Sequence, residues 1–170
     1  MRPAWVTQYL QIPFIERGRT RAGMDCWGLI KLVYGDQRGI ELPSYAEDYA
    51  TTTDAEEITA LCRGEVATQW LEIPIADAQL FDVAILRILG EPIHFALVLD
   101  PPYMLHTMRG TWSHIERWDG LIWQRRLQRM VRWQGAACWE QRSMMAQALS
   151  CTPKAGIPRY STEVPSRAVG

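Results

Sequence analysis

No stretch of this sequence is long and apolar enough to cross a lipid bilayer, and its first residues lack the apolar core of a signal peptide. A membrane-spanning helix needs roughly 20 consecutive apolar residues, and a signal peptide needs an apolar core of about 7 to 15 residues. We therefore expect a protein that has no membrane span and is not exported by a signal peptide of its own.

Lysine is almost absent, since Lys31 and Lys154 are the only lysines among 18 basic residues. The charges sum to −1 and the pI is near 6.3, which gives no electrostatic reason to expect nucleic acid as the main ligand. The other basic residues are arginines, and the chain also contains 8 tryptophans. Arginine and tryptophan are common in protein interfaces, although burial in the core explains the tryptophans equally well.

Metal-binding and redox motifs are also missing. The cysteines are Cys26, Cys62, Cys138 and Cys151, and the sequence has neither a C-x-x-C pair nor two histidines at zinc-ligand spacing. We expect no metal and no cofactor. Cys62 and Cys138 are interpreted as buried or half-buried thiols, because a chain of 170 residues does not need disulfides to build a core.

The composition predicts one globular domain. Hydrophobic residues make up 48% and charged residues 22% of the 170 residues, close to the values of ordinary soluble domains. We place this domain at residues 1–135. Residues 136–170 form a C-terminal extension with a short helix over Ala137–Ala148 and a proline-rich end. A proline-rich end cannot bury a core, so the extension is predicted to bind a partner or to be poorly ordered alone.

One helix in the first third of the chain is predicted to be buried. Residues Cys26–Arg38 are apolar on nearly every side, which is typical of a helix at the centre of a domain. Asp25 fits the N-cap of this helix and Gly39 its C-terminal stop. Cys26 is then the first helical residue, where the peptide dipoles favour a thiolate.

Three shorter segments near this helix are predicted from local signals. Trp5–Pro13 has the spacing of a short amphipathic segment that ends at its proline. Glu16–Gly23 has no apolar periodicity and predicts an exposed connection. A capping box that begins at Thr53 or Asp54 predicts a further helix running to about Cys62.

The second half of the chain is predicted to form an antiparallel sheet. Short apolar runs, partly β-branched and separated by turn signals, are found at Val83–Leu89, His94–Leu99, Tyr103–Thr107, Ile115–Trp118 and Arg126–Trp133. Together with the buried helix they indicate the α+β class. In and just before the last run, apolar residues alternate in part with four arginines, Arg125, Arg126, Arg129 and Arg132. These arginines are interpreted either as the solvated side of an edge strand or as a protein-contact face.

Cys26 and two histidines are candidates for a nucleophile and its base. His94 begins one predicted strand and His106 lies in the next, so a hairpin brings them side by side. A cysteine nucleophile must lose its proton, an imidazole can accept it, and a second polar group can orient that imidazole. An inert buried cysteine is the alternative. Asp25 is interpreted as a helix cap and His114 as an exposed turn residue.

The residues around Cys26 resemble a known signature. Gly23-Met24-Asp25-Cys26-Trp27-Gly28-Leu29, followed by Tyr34 and by Gly39-Ile40-Glu41-Leu42-Pro43, resembles the G-x-D-C-x-G-L…Y…G-I-x-L-P pattern of the NlpC-type cysteine peptidases, especially their bacteriophage tail branch. His94–Leu99 is similar to the family's histidine strand. Met104–Thr107 is similar to the following strand, whose polar residue completes a triad.

This resemblance implies a papain-like α+β fold in which the helix that carries Cys26 packs on a small antiparallel sheet. It also implies hydrolysis of an amide bond in peptidoglycan stem peptides, typically between D-glutamate and a diamino acid. Cys26 would attack the carbonyl carbon, His94 would relay the proton, and His106 would hold His94. Many family members carry a tyrosine 12 positions before the cysteine, where this chain has Phe14 and therefore no hydroxyl for the oxyanion.

The phage branch implies a role in a bacteriophage or prophage tail tip. We expect a protein that is made in the host cytoplasm and located in the virion tail, with peptidoglycan stem peptides and other tail-tip or baseplate proteins as partners. It would act on the cell wall during DNA entry or on assembly of the tail. A structural plug that keeps the fold without hydrolysis is the alternative, and acyl transfer to an amine is a third interpretation.

Overall fold

The structure is a computed structural model that describes residues 2–54, 56–58 and 69–135. The predicted C-terminal extension, Cys62, Cys138 and Cys151 lie outside these residues. Of the helix predicted to run to about Cys62, residues 56–58 are helical and the remainder lies outside the described part. Within that part, no helix is both long enough and apolar enough to span a membrane.

A short helix and a small hairpin precede the buried helix. The amphipathic segment forms a 3-10 helix, Ala4–Tyr9, with the ring of Tyr9 fully buried. Strands β1 (Arg19–Thr20) and β2 (Gly23–Met24) then pair antiparallel. The expectation of an exposed connection holds only in part: half of Glu16–Gly23 is exposed, but Arg19 is only 14% exposed and pairs with the buried Asp25.

Helix α1 (Cys26–Arg38) begins and ends where the sequence predicts. The side chain of Asp25 accepts a hydrogen bond of 2.7 Å from the N–H of Gly28 and so caps the first turn. Gly39 closes the helix in the left-handed conformation, with a φ of 62° that side chains rarely adopt. Gly28 is required for a different reason, because a Cβ there would collide with the carbonyl oxygen of Gly18 in the hairpin.

Six antiparallel strands form the main sheet, in the order β3-β8-β4-β5-β6-β7. Their bounds are β3 Trp70–Ile73, β4 Val83–Ile88, β5 Glu91–Asp100, β6 Tyr103–His106, β7 His114–Arg117 and β8 Leu127–Trp133. The five predicted strands are all present, with ends shifted by up to three residues. Strand β3 was not predicted.

The structure excludes one of the two interpretations of the arginine-rich run and corrects the interpretation of His114. Strand β8 is not an edge strand, because it lies between β3 and β4. One of its arginines, Arg132, forms two hydrogen bonds of 2.8 Å to the buried carboxylate of Asp82. His114 is not a turn residue, because it is the first residue of β7 and pairs with His106 across the sheet.

Apolar side chains cover both faces of the sheet, because successive residues of a strand point to opposite sides. On β5, Leu97 and Leu99 belong to the core formed with α1. Val98 belongs to a second core on the other face, which is closed by Trp118 and Trp123 from the segment after β7. The chain from Trp118 to Arg126 therefore acts as a cover over the sheet face that carries the histidines.

Asp25 fixes the start of α1 through a buried ion pair. Its Oδ1 accepts a hydrogen bond of 2.8 Å from a guanidinium nitrogen of Arg19, and its Oδ2 accepts one of 2.5 Å from the hydroxyl of Tyr49. Arg19 also donates to the Tyr49 oxygen, at 2.8 Å, and to the carbonyl oxygen of Ser44, at 2.7 Å. These bonds tie the hairpin, the helix and the loop after the helix together at the residue before Cys26.

We predict that Asp25→Ala lowers the free energy of unfolding by roughly 3 kcal/mol or more, because it removes a helix cap and leaves the Arg19 charge buried without its partner. Chemical denaturation measures this loss. Asp119→Ala, which breaks an exposed pair with Arg117, serves as the matched control and should leave stability almost unchanged. Equal losses in the two variants would contradict the role assigned to Asp25.

Candidate active site

A cavity of about 200 Å³ opens at the N-terminal end of α1 and contains both Cys26 and His94 in its wall. The side chains of Cys26 and His94 are almost buried, with 5% and 4% of their surface exposed. The other residues of the wall are Phe14, Thr52, Thr53, Ile88, Ile93, Met108 and Arg109. The thiol and the imidazole therefore meet in a small, mostly apolar chamber.

Strand register explains how the cysteine reaches the sheet. Leu97 pairs with Leu105, and β6 ends at His106, one residue before the position opposite Phe95. The backbone N–H of Phe95 is directed instead to the sulfur of Cys26, which also receives the N–H of Trp27. Cys26 therefore lies beside β5, next to His94, in the gap where the neighbouring strand stops.

The thiol is protonated at rest. Burial and, second, the charge of Asp25 raise the pKa of Cys26 to about 12, although the two backbone N–H groups act in the opposite direction. The sequence predicted a thiolate favoured by the helix N-terminus, and that prediction is wrong in direction. Desolvation of a buried charge outweighs the helix dipole here.

A chain of hydrogen bonds extends away from the cavity behind His94. Its Nε2 lies 2.9 Å from Nδ1 of His106. The Nε2 of His106 lies 3.1 Å from Oε2 of Glu116, and the same oxygen accepts the indole N–H of Trp123. The ring of Trp123 also stacks on His94, with ring centroids 5.5 Å apart.

Both imidazole rings are neutral near pH 7. Burial first, and then the charge of His106, lowers the pKa of His94 well below its usual value. Burial first, and then the charge of His114, lowers the pKa of His106 to about 4, although Glu116 acts in the opposite direction. Each ring therefore carries a proton on only one of its nitrogens.

The donor and acceptor inventory assigns these protons. Oε2 of Glu116 accepts from Trp123, which can only donate, so Nε2 of His106 is the donor in its contact with the same oxygen. The Nδ1 of His106 is then an acceptor, and His94 must donate to it from Nε2. This leaves the Nδ1 of His94 with a lone pair, as a general base for Cys26 requires.

Phe14 forms part of the cavity wall and presents a ring without a hydroxyl. It is held by backbone hydrogen bonding, since its N–H donates 3.2 Å to the carbonyl oxygen of Thr111. At the rim, the guanidinium of Arg109 pairs with the carboxylate of Glu16. The cavity wall therefore has an aromatic ring at Phe14 and a charged side chain, paired with Glu16, at Arg109.

The three residues singled out from the sequence lie together. Cys26 and His94 share the cavity, and His106 is bonded to His94. Asp25 is the helix cap, as predicted. Sequence reasoning missed Glu116 and Trp123. The alternation of strand residues is the signal that could have found Glu116. His106 on β6 pairs with His114 on β7, so His114 and Glu116 lie on the same face of the sheet as His106.

The chain belongs to the NlpC/P60 family, whose model matches residues 12–132. It is also similar to the tail tip assembly protein K of Escherichia phage N15, at 25% identity over 126 residues that cover 72% of this chain and 50% of that protein. The chain therefore spans about half the length of this curated relative. The predicted family is confirmed.

Solved structures show the same fold at low sequence identity. The NlpC/P60 domain of the peptidoglycan hydrolase SagA has a TM-score of 0.51 at 18% identity and covers 76% of this chain and 96% of its own. A Bacillus cereus family member has a TM-score of 0.55 at 16% identity, and the match covers 79% of this chain and 42% of that protein. A lipoprotein-like member from Staphylococcus aureus has a TM-score of 0.53 at 23% identity, and the match covers 75% of this chain and 38% of that protein. The predicted papain-like α+β fold is confirmed.

We predict that alkylation of Cys26 by iodoacetamide speeds up steadily with pH from about 8 to about 11, because the pKa of the thiol is raised and only the thiolate reacts. Mass spectrometry of the peptide that contains Cys26 separates it from the other cysteines. The unfolded protein in denaturant is the reference, and its rate should level off above the ordinary thiol pKa of about 8.5. A folded-state rate that is already maximal below about pH 7 would contradict a protonated resting thiol.

Proposed function

We propose that this chain is a cysteine peptidase that cleaves amide bonds in peptidoglycan stem peptides, with Cys26 as nucleophile, His94 as general base and His106 as the residue that orients His94. The observation that carries the proposal is the shared cavity of Cys26 and His94, backed by the bond from His94 to His106. Membership of the NlpC/P60 family supports the reaction class.

The first half of the reaction forms an acyl-enzyme. As the sulfur of Cys26 attacks the carbonyl carbon, its proton passes to Nδ1 of His94 and a carbon–sulfur bond forms. The carbonyl oxygen becomes an oxyanion that the backbone N–H of Cys26, unpaired within the first turn of α1, stabilises. The carbon–nitrogen bond then breaks, and the leaving amine takes the proton from His94.

The second half returns the enzyme to its resting state. Water gives a proton to Nδ1 of His94 and attacks the thioester carbon. The carbon–sulfur bond breaks, the peptide leaves as a free carboxylic acid, and the sulfur recovers a proton from His94. Because Cys26 and His94 are both neutral at rest, the thiol loses its proton as the bond forms, as serine does in a serine hydrolase.

Glu116 is a positioning residue in this mechanism. Its carboxylate fixes the proton of His106 on Nε2, which in turn keeps the lone pair of His94 on the nitrogen that serves the thiol. The indole N–H of Trp123 holds Glu116 in place, and the indole ring packs on His94. The effect travels through two hydrogen bonds, with no contact between Glu116 and the substrate.

We further propose that the chain works in a bacteriophage tail, either at the cell wall during DNA entry or in tail assembly. The support is the similarity to a tail tip assembly protein of Escherichia phage N15. The partners would be peptidoglycan stem peptides and neighbouring tail-tip or baseplate proteins, and the location would be the virion tail. Residues 1–135 would form the catalytic domain, and residues 136–170 would bind neighbours in the tail.

A structural plug without hydrolytic activity is the second candidate. Two observations favour it: Phe14 stands in the wall without a hydroxyl, and the pKa of Cys26 is raised to about 12. Both leave the site with a less reactive nucleophile and fewer oxyanion donors than a peptidase can use.

We predict that the purified chain cleaves peptidoglycan fragments to products with a free carboxylate, and that Cys26→Ser lowers kcat/KM by at least about a thousandfold. Mass spectrometry of the released peptides identifies the bond. Leu89→Ala, a change at a side chain 92% exposed and outside the cavity wall, is the control and should cleave normally. Absence of cleavage by the parent protein under reducing conditions would favour the plug.

We also predict that Phe14→Tyr raises kcat by about tenfold or more, because a hydroxyl in the cavity wall adds an oxyanion donor. Steady-state kinetics on the same peptidoglycan fragments measure the change. Phe14→Leu tests whether the ring alone matters, and it should bring no gain. If Phe14→Tyr leaves kcat unchanged while the protein keeps its fold, the oxyanion does not form next to Phe14.

A further inference from the structure

A second cluster of metal-ligating side chains lies behind the cavity, on the face of β7 that meets β6. One ligand atom from each of His106, His114 and Glu116 lies within 4.8 Å of the other two. Nε2 of His106 lies 3.1 Å, and Nε2 of His114 lies 3.7 Å, from Oε2 of Glu116. Two ligands of a tetrahedral zinc ion, each about 2.0 to 2.1 Å from the metal, lie about 3.3 Å apart, so the three side chains must move closer together by up to roughly 1.5 Å to share one ion.

The tautomer of His114 supports a ligand role. Its Nδ1 lies 2.6 Å from the carbonyl oxygen of Trp112, which can only accept, so Nδ1 carries the proton. With its proton on Nδ1, the ring of His114 can offer the lone pair of Nε2, which lies 3.7 Å from Oε2 of Glu116, to a metal ion. A histidine fixed by a backbone carbonyl in this way is typical of metal sites.

The other ligands are equally well fixed. The indole N–H of Trp123 holds Oε2 of Glu116, the oxygen that faces both histidines. The side chain of His106 is fully buried, whereas His114 and Glu116 are 38% and 37% exposed. An ion can therefore enter from solvent on one side and meet a rigid ligand on the other.

We infer that His106, His114 and Glu116 bind a divalent transition-metal ion, with zinc as the physiological candidate, and that the bound ion switches off the neighbouring thiol site. Two imidazoles and one carboxylate are a donor set that zinc prefers, with water as the fourth ligand. The binding itself is independent of catalysis. The inhibition rests on the proposed peptidase function.

The inhibition follows from proton positions along the histidine pair. A metal on Nε2 of His106 displaces the proton from that nitrogen, so the neutral ring carries its proton on Nδ1. Nδ1 then donates to Nε2 of His94, and the proton of His94 moves to Nδ1. The number of ring protons is unchanged, but the nitrogen of His94 that is proposed to serve Cys26 now carries a proton and cannot accept another. The base is lost without any contact between metal and sulfur.

Cobalt(II) and zinc titrations of the full chain test the binding, by visible absorption and by calorimetry. We expect tetrahedral cobalt bands without a cobalt–thiolate charge-transfer band, and unchanged affinity in Cys26→Ala. His114→Ala should weaken zinc binding at least about tenfold, as even the loss of an outer partner does. Asp119→Asn, an exposed carboxylate after the same strand, is the control and should bind normally. Zinc affinity that is lost in Cys26→Ala, or retained in His114→Ala, would overturn the site.

The rate of peptide cleavage with and without zinc tests the switch, each variant being compared with its own metal-free rate after chelation. The parent chain should lose most of its activity at saturating zinc, and His114→Ala should need at least about tenfold more zinc for the same loss. Equal zinc sensitivity in both proteins, or activation by zinc, would overturn the switch. If no variant cleaves peptide under any condition, the proposed function fails, while the titrations still decide the metal site.

Discussion

Two buried imidazole rings share a hydrogen bond of 2.9 Å between Nε2 of His94 and Nδ1 of His106. Neither ring is charged near pH 7, because burial lowers the pKa of both. A pair of neutral rings joined in this way has only two proton arrangements, and the group at the far nitrogen of His106 selects between them. The carboxylate of Glu116 selects the one that leaves the lone pair of His94 on Nδ1. The proton positions on His94 therefore depend on a residue of β7, two strands away on the same face of the sheet.

At the N-terminus of α1, the residue that stabilises the helix also makes the thiol less acidic. Asp25 stabilises the helix start and pairs with Arg19, yet its charge, together with burial, raises the pKa of Cys26 to about 12. Because the thiol stays protonated near pH 7, the proposed mechanism needs a base that accepts the proton while the sulfur attacks. The carboxylate of Asp25 therefore affects both the stability of the helix start and the pKa of the thiol.

Local signals were sufficient for the elements that carry the candidate residues. Capping by Asp25 and Gly39 fixed the bounds of α1, and alternating apolar residues with strong turns located the strands of His94 and His106. The features that the sequence did not predict depend on strand register and on burial. Glu116 reaches His106 only through the pairing of β6 with β7, and the raised thiol pKa follows from packing that no short motif encodes. Strand β3 is short and half-buried, without a clear alternating pattern.

Nitrogen-15 NMR of the histidine side chains, on chelator-treated protein near pH 7, tests the central claim most directly, because the shifts of the two ring nitrogens report which one carries the proton. The proton direction derived from Glu116 predicts that His94 is neutral, protonated on Nε2 and unprotonated on Nδ1. A neutral His94 with its proton on Nδ1, or a charged ring with both nitrogens protonated, would contradict it.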